Sequence, residues 1–364
     1  MYMQNMARAL VRCGHQATVL CAAHKSQPRV LDDEGVTVLR YFEESKCYSK
    51  ETVETVLSVL EKHAIDFIEG ADHLGISAQL FSIKERPPII IKVHSSNALE
   101  VLRQSQVLYT WQHMFLWLAY LRSFRQLYFE KMSYTKGDCL IAPSQAIMDA
   151  LIAQGVRLPE KRGIVYNPIE PEDESHSGAD QKELGSILFA GRLDIGKGIQ
   201  FLPRLMRNLR GCNVKLDIAG EDGYARGVGS LRSWLEKRLG DDLDSVHFHG
   251  HVPSDRMSKL FLKAQLIIVP SRWDNFPTIV LEAMKFGVPV VASPFGGMSE
   301  MLEGTECSVL DPGSDEFGLR VQKMIASPGM LEKAGASMRK KMLLSYTPER
   351  VVEQYCSLLS ANDL

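Results

Sequence analysis

Short runs of Val, Ile and Leu alternate with longer amphipathic stretches along nearly the whole chain, and that alternation admits few folds. Ala17 to Cys21, Val36 to Tyr41, Phe67 to Glu69, Ile89 to Val93 and Cys139 to Ala142 read as strands. Helical spacing separates them over 51–63, 75–84, 98–136 and 145–154. The pattern resumes with strands at Ser186 to Ala190, Lys215 to Ala219, Val246 to His249, Leu266 to Val269 and Val288 to Ala292. Apolar runs bounded by turns make buried strands, whereas 3.6-residue periodicity makes helices. Strand and helix in steady succession predict parallel sheets covered on both faces, which is a doubly wound α/β architecture.

One stretch breaks the pattern. Residues 169–183 are rich in Glu, Asp, Ser, Gly and Pro and cannot build a core, so they read as a solvated linker. With 364 residues and roughly 150 per domain, two domains are expected. The predicted division is 1–168, a linker at 169–184, a second domain over 185–344, and a helical tail over 345–364. The chain's opening is unusual. Tyr2 to Arg12 carries Met3, Met6, Ala7, Leu10 and Val11 at helical spacing, ends at Gly14, and feeds a parallel-type strand. Such a helix normally follows a strand, so the reading is that an upstream strand and its turn are missing from this sequence. The alternative is a fold that starts on a helix.

Composition narrows the class. Hydrophobic residues at 45% and charged residues at 24% exclude a collagenous or largely disordered chain. Forty-two Lys and Arg against 44 Asp and Glu leave a net charge of −2, with no broad field to attract nucleic acid. The densest apolar run, 114–121, falls short of the roughly 20 residues that span a bilayer. No secretory signal is expected from the opening residues. Cysteines at 13, 21, 47, 139, 212, 307 and 356, without a C-x-x-C pair, read as reduced thiols, and the expected compartment is the cytoplasm.

Chemistry concentrates after residue 185. A strand ending at Ala190 runs into Gly191-Arg192-Leu193-Asp194-Ile195-Gly196-Lys197-Gly198 and then a helix. Glycines there let backbone approach a ligand, and a following helix start favours an anion. Arg192 offers a fork of donors and Lys197 a mobile point charge, both suited to phosphate oxygens. Gly191 to Lys197 also fits G-x-x-x-x-G-K. Gly198 follows where a P-loop needs Ser or Thr for its Mg²⁺, which weakens a P-loop NTPase reading. Further on, Asp274 sits in a strand-end loop and Glu282, eight residues later, lies in a helix beginning near Pro277. Two such carboxylates can accept bonds from hydroxyl pairs on two parts of one ligand. Singly, each reads equally well as a solvated or capping acid.

The combination resembles a retaining, nucleotide-sugar-dependent glycosyltransferase of glycosyltransferase family 4. The matching features are Gly191-Arg192-Leu193 with Lys197-Gly198, Ile218-Ala219-Gly220, His249-Gly250-His251-Val252 and Pro270-Ser271. They continue through Asp274 to Glu282-Ala283-Met284, Gly287-Val288-Pro289-Val290-Val291-Ala292, and Gly296-Gly297 with Glu300. Weaker echoes in the first domain are Gly14-His15, His94, Glu130, Ala142-Pro143-Ser144 and Asn167-Pro168. The resemblance implies the GT-B fold class: two Rossmann-like doubly wound α/β domains facing across a cleft, with the C-terminal helix crossing back to the first. It implies that Arg192 and Lys197 neutralise the donor diphosphate and that Glu282 binds the ribose hydroxyls. The backbone at Gly191 and near Val252 would face the donor, the latter at its base. Asp274, where the family usually has Glu, would touch the sugar, joined by Asn275 and the main chain of Phe276, Pro277 and Thr278. His94 would support the reacting centre from the first domain. The family's first strand and glycine-rich turn have no counterpart before Met1.

These residues lead to an expected function: transfer of a glycosyl unit from a nucleotide sugar, a UDP- or GDP-sugar, to a hydroxyl of a glycan or lipid-linked acceptor, with retention. No cofactor and no metal are expected. Asp242-Leu243-Asp244 matches D-x-D spacing but reads as a solvated turn, and His247, His249 and His251 lack a Cys or carboxylate in the sequence nearby to complete a metal site. Segment 107–136 carries aromatic stripes with interspersed Arg and Lys. It reads first as a long domain helix, and second as a peripheral membrane contact at the inner face. Two rivals stand beside the transferase: a non-catalytic nucleotide-sugar-binding protein, and a nucleotide-sugar epimerase of the same architecture.

Overall fold

A computed structural model describes residues 2–22, 30–41, 50–94, 128–172, 182–225 and 227–362. The chain divides into two units, one of Met1–Pro168 with Pro348–Leu364, the other of Ile169–Thr347. The predicted linker falls largely on 173–181, outside the described residues. So does most of the 98–136 helix, of which 128–136 is described as helical.

In the first unit the strands are β1 Thr18–Ala22, β2 Val30–Asp33, β3 Val36–Tyr41, β4 Ile68–Ala71, β5 Ile89–Lys92, β6 Cys139–Ala142 and β7 Arg162–Ile164. β4 to β7 form a parallel sheet in sequence order, with Ile90 opposite Cys139 and Ile91 opposite Leu140. Alternation then decides which face each residue serves. Ile90, Cys139 and Ile141 pack under the opening helix (Tyr2, Met6, Ala9) and the closing helix Pro348–Ala361 (Val351, Val352, Tyr355, Leu359). Ile89, Ile91, Leu140 and Ala142 pack on the other side with Ile147, Met148, Leu151 and Tyr134. Both faces are covered, as continuous apolar strands require.

One continuous sheet was expected here, and the structure has two. β1 and β3 pair in parallel, and β2 folds back antiparallel on β3 through a turn at Glu34 and Gly35. Among the described residues no strand stands between β1 and β4. The opening helix Tyr2–Arg12 is followed directly by β1. The 75–84 helix is a 3₁₀ segment, His73–Ser82.

The second unit has β8 Ser186–Ala190, β9 Lys215–Ala219, β10 Tyr224–Ala225, β11 Gly229–Ser230, β12 Val246–Gly250, β13 Leu266–Val269, β14 Val290–Ala292 and β15 Ser308–Val309. Six of them make one parallel sheet in the order β12-β9-β8-β13-β14-β15. Its first strand is central, and the chain winds outward to either side. That order places the loops after β8 and β13 next to each other at the carboxyl ends, where doubly wound sheets bind ligands. Among the described residues, no helix is long and apolar enough to cross a membrane.

Candidate active site

The strand ends of the second unit gather most of the predicted residues. Leaving β8, the Gly191 N–H donates to the Ala219 carbonyl at 2.9 Å, and the Leu193 N–H reaches the Glu221 carbonyl at 2.9 Å. Gly220 comes so near that a Cβ on it would stand 1.9 Å from the Gly191 carbonyl oxygen. Glycine is what lets the two strand ends close up. Beside them opens a pocket of about 300 Å³ lined by Gly191, Arg192, Ala219, Gly220, Glu221, His251, Val252 and Met257. The Arg192 side chain is mostly in solvent, 3.6 Å from Asp194, free to swing toward an anion.

A single 3₁₀ turn, Ile195–Lys197, aims the lysine. Asp194 caps it, its Oδ1 accepting from the Gly196 N–H at 2.7 Å. Gly198 ends it at φ +84, where a Cβ would lie 1.9 Å from the Pro270 carbonyl oxygen. The Arg272 N–H then donates to the Gly196 carbonyl at 2.8 Å, tying the turn to the loop after β13. Lys197 Nζ consequently sits 2.5 Å from Asp274 Oδ2, joining residues 77 apart in sequence. Asp274 is itself held by a bridge to Gly296 and by the Gly297 N–H on its carbonyl at 2.8 Å.

Beyond Asp274 the loop is anchored by its own side chains. Trp273 Nε1–H donates to Asn275 Oδ1 at 2.7 Å, and the Phe276 ring is buried edge-on to Tyr346, centroids 5.5 Å apart. The Phe276 ring therefore serves the core. Pro277 stands just before the helix Thr278–Lys285 as its N-cap, one residue outside the first turn in which it was expected. Glu282 lies in that helix, half-buried. Burial raises its pKa above the ordinary carboxylate value, and the nearby Lys285 partly offsets the rise.

His94 belongs to the first unit, two residues past β5. Its N–H donates to Asp72 Oδ1 at 2.9 Å, and its ring meets Tyr2 edge-on with centroids 4.9 Å apart. One side expectation needs correction: Asp242 is buried, not solvated, and Arg210 grips it with two bonds of 2.6 and 3.1 Å. Two of the strand histidines each pair with one acid, His249 Nε2 lying 2.6 Å from Asp217 Oδ1 and His251 Nδ1 3.3 Å from Glu221. Among the described residues no group of three or more His, Cys, Asp or Glu is arranged to hold a metal ion. Sequence reasoning missed Asp194, Glu221 and Met257. Only Asp194 left a signal, as an N-capping type two residues before a glycine in a turn.

Two family descriptions match the chain, "Glycosyltransferase Family 4" over residues 1–173 and "Glycosyl transferases group 1" over 171–341. The chain belongs to the family 4 type of glycosyltransferases. This glycosyltransferase is 26% identical over 379 residues to an uncharacterized glycosyltransferase of Methanocaldococcus jannaschii, a match covering 96% of this chain and 91% of that one. Its structure is similar to that of sucrose-phosphate synthase from Thermosynechococcus elongatus, with a TM-score of 0.77 at 20% identity over 99% of this chain and 92% of that one. It is also similar to Anabaena HepE in complex with UDP and glucose, with a TM-score of 0.67 at 18% identity over 90% and 87% of the two chains. These likenesses establish the GT-B fold class with two Rossmann-like domains.

Proposed function

We propose that this glycosyltransferase takes a glycosyl unit from a nucleoside diphosphate sugar and transfers it to a hydroxyl of a glycan or lipid-linked acceptor, with retention at the anomeric carbon. The observation that carries the reading is the ammonium of Lys197 held against Asp274, beside the strand-end pocket that Gly191 and Arg192 line. As the sugar leaves its diphosphate, negative charge grows on the phosphate oxygens and positive character on the anomeric carbon. Arg192 and Lys197 supply donors for the first, and Asp274, paired with Lys197, is assigned to the sugar. The pocket by Val252 takes the base, and Glu282 accepts from the ribose hydroxyls. Asn275 and the main chain of Phe276, Pro277 and Thr278 line the sugar, and His94 supports the reacting centre.

The HepE neighbour's UDP and glucose support a UDP-sugar, with a GDP-sugar as the alternative. We place the chain in the cytoplasm. Contact with a membrane surface through 107–136 is checked by liposome co-sedimentation with and without Trp117→Glu, where equal, negligible pelleting ends it. The function itself is tested by incubating the protein with UDP-glucose, GDP-mannose, ADP-glucose and TDP-glucose plus simple glycan acceptors. Release of one nucleoside diphosphate, with a product of the donor's own anomeric configuration by NMR, is expected. A product of opposite configuration would refute retention. Sugar interconversion without an acceptor would mean an epimerase.

A further inference from the structure

We propose that Asp72 is a positioning residue for His94, steadied through Tyr134 by Glu130. The inference rests on the role given to His94 under the proposed function. β4 and β5 are neighbours in the parallel sheet, and their pairing extends one step beyond them: the Asp72 N–H donates to the Lys92 carbonyl at 3.1 Å. That contact puts the Asp72 side chain beside the chain leaving β5. Its Oδ1 accepts from the His94 N–H at 2.9 Å, and its Oδ2 from the Tyr134 hydroxyl at 2.8 Å. The same hydroxyl lies 2.9 Å from Glu130 Oε1.

Asp72, Glu130 and Tyr134 are all buried, at 0%, 1% and 2% exposure. Burying a carboxyl is costly unless hydrogen bonds satisfy it, and an apolar residue packs such a position more cheaply. Tyr134 has one proton to give, and its hydroxyl lies within hydrogen-bond distance of both carboxyls. Burial and the two neighbouring acids push the Tyr134 pKa well up, which keeps the phenol neutral. The chain of three ends on the backbone of one residue. His94 is thus fixed from two sides, its main chain by Asp72 and its ring by Tyr2. Catalytic groups need placement to within about half an ångström, and side chains behind them supply it.

The test measures nucleoside diphosphate release from the same four nucleotide sugars by wild type, Asp72→Ala, Asp72→Asn, Tyr134→Phe and His94→Ala. Calorimetric Kd values for the matching nucleoside diphosphate are taken alongside. Asp72→Ala is expected to lower kcat at least tenfold, with KM and Kd within twofold of wild type. Asp72→Asn keeps an acceptor oxygen for the His94 N–H and is expected to recover at least a third of wild-type kcat. Loss of turnover in His94→Ala with wild-type kcat in Asp72→Ala overturns this inference and leaves the proposed function standing. Equal losses in the Asn and Ala variants also overturn it. Full turnover in His94→Ala, or none in wild type, sinks the role of His94 and this inference with it. If Asp72→Ala does not fold, Tyr134→Phe decides: a several-fold lower kcat at unchanged KM supports the inference, and wild-type kcat overturns it.

Discussion

Lys197 and Asp274 meet because glycine and a capping aspartate shape one turn between them. Gly198 is the least replaceable residue of that turn. Its positive φ strains any L side chain, and a Cβ would run into the Pro270 carbonyl. Gly198→Ala is expected to cost about 2–3 kcal/mol, read as a lower urea midpoint, and to weaken diphosphate binding with it. Glu282 shows the opposite tension. Its folded-state pKa lies above its ordinary value of 4.5, so the folded protein binds more protons than the unfolded chain as pH rises through that window. Its contribution is therefore lost with rising pH. Glu282→Gln should be more stable than wild type at pH 7, with the gap shrinking toward pH 4.5 in urea unfolding, while nucleotide affinity falls. A gap that is constant with pH would contradict this. Glycines and charges next to a strand end made Gly191, Arg192 and Lys197 legible in the sequence. Asp274 was legible too, as an acid in a strand-end loop, but its pairing with Lys197 was not, since only the sheet order brings the two together across 77 positions. Asp72 was equally silent, because a buried acid after a short strand looks like any loop carboxylate.

At the scale of elements, strands buried on both sides were the easiest to see. The fully buried strands β5, β6 and β13, apolar apart from Lys92, match the predicted runs to within a residue. β2, β7 and β15 were missed: they are two to four residues long and partly exposed, and so lack an apolar signature. The closing helix Pro348–Ala361 is amphipathic in sequence, yet nothing local says where it packs. It belongs to the first unit, where Tyr355 is 1% exposed over the sheet beside Ile90, Cys139 and Ile141. Truncating it by Tyr355→Ala should cost about 3–5 kcal/mol, seen as a lower midpoint for the transition of that unit. Lys92 lies in the same layer. Burial lowers its pKa to about 7, while neighbouring Glu69 and Asp72 pull it back up. Lys92→Met leaves Glu69 without its cation and the Val165 carbonyl without its donor, and is expected to destabilise by about 3–5 kcal/mol. A variant as stable as wild type would show that the cation contributes nothing to that core.

For the whole molecule, the proposed function rests on the carboxyl edge of the second sheet. A net charge of −2 gives the protein no long-range attraction for anions, so affinity for a diphosphate has to come from a few groups at that edge. Under the proposed function those groups are Arg192 and Lys197, with Glu282 assigned to the ribose hydroxyls. A charge-assisted contact contributes about 1.5–3 kcal/mol, which is roughly ten- to a hundredfold in Kd. The most direct measurement is calorimetric titration of UDP and GDP into wild type, Lys197→Ala and Glu282→Ala at pH 7. Saturable binding of one of the two by wild type is expected, weakened at least tenfold in each variant. Wild-type affinity in both variants would contradict the assignment of these residues to the leaving diphosphate and its ribose.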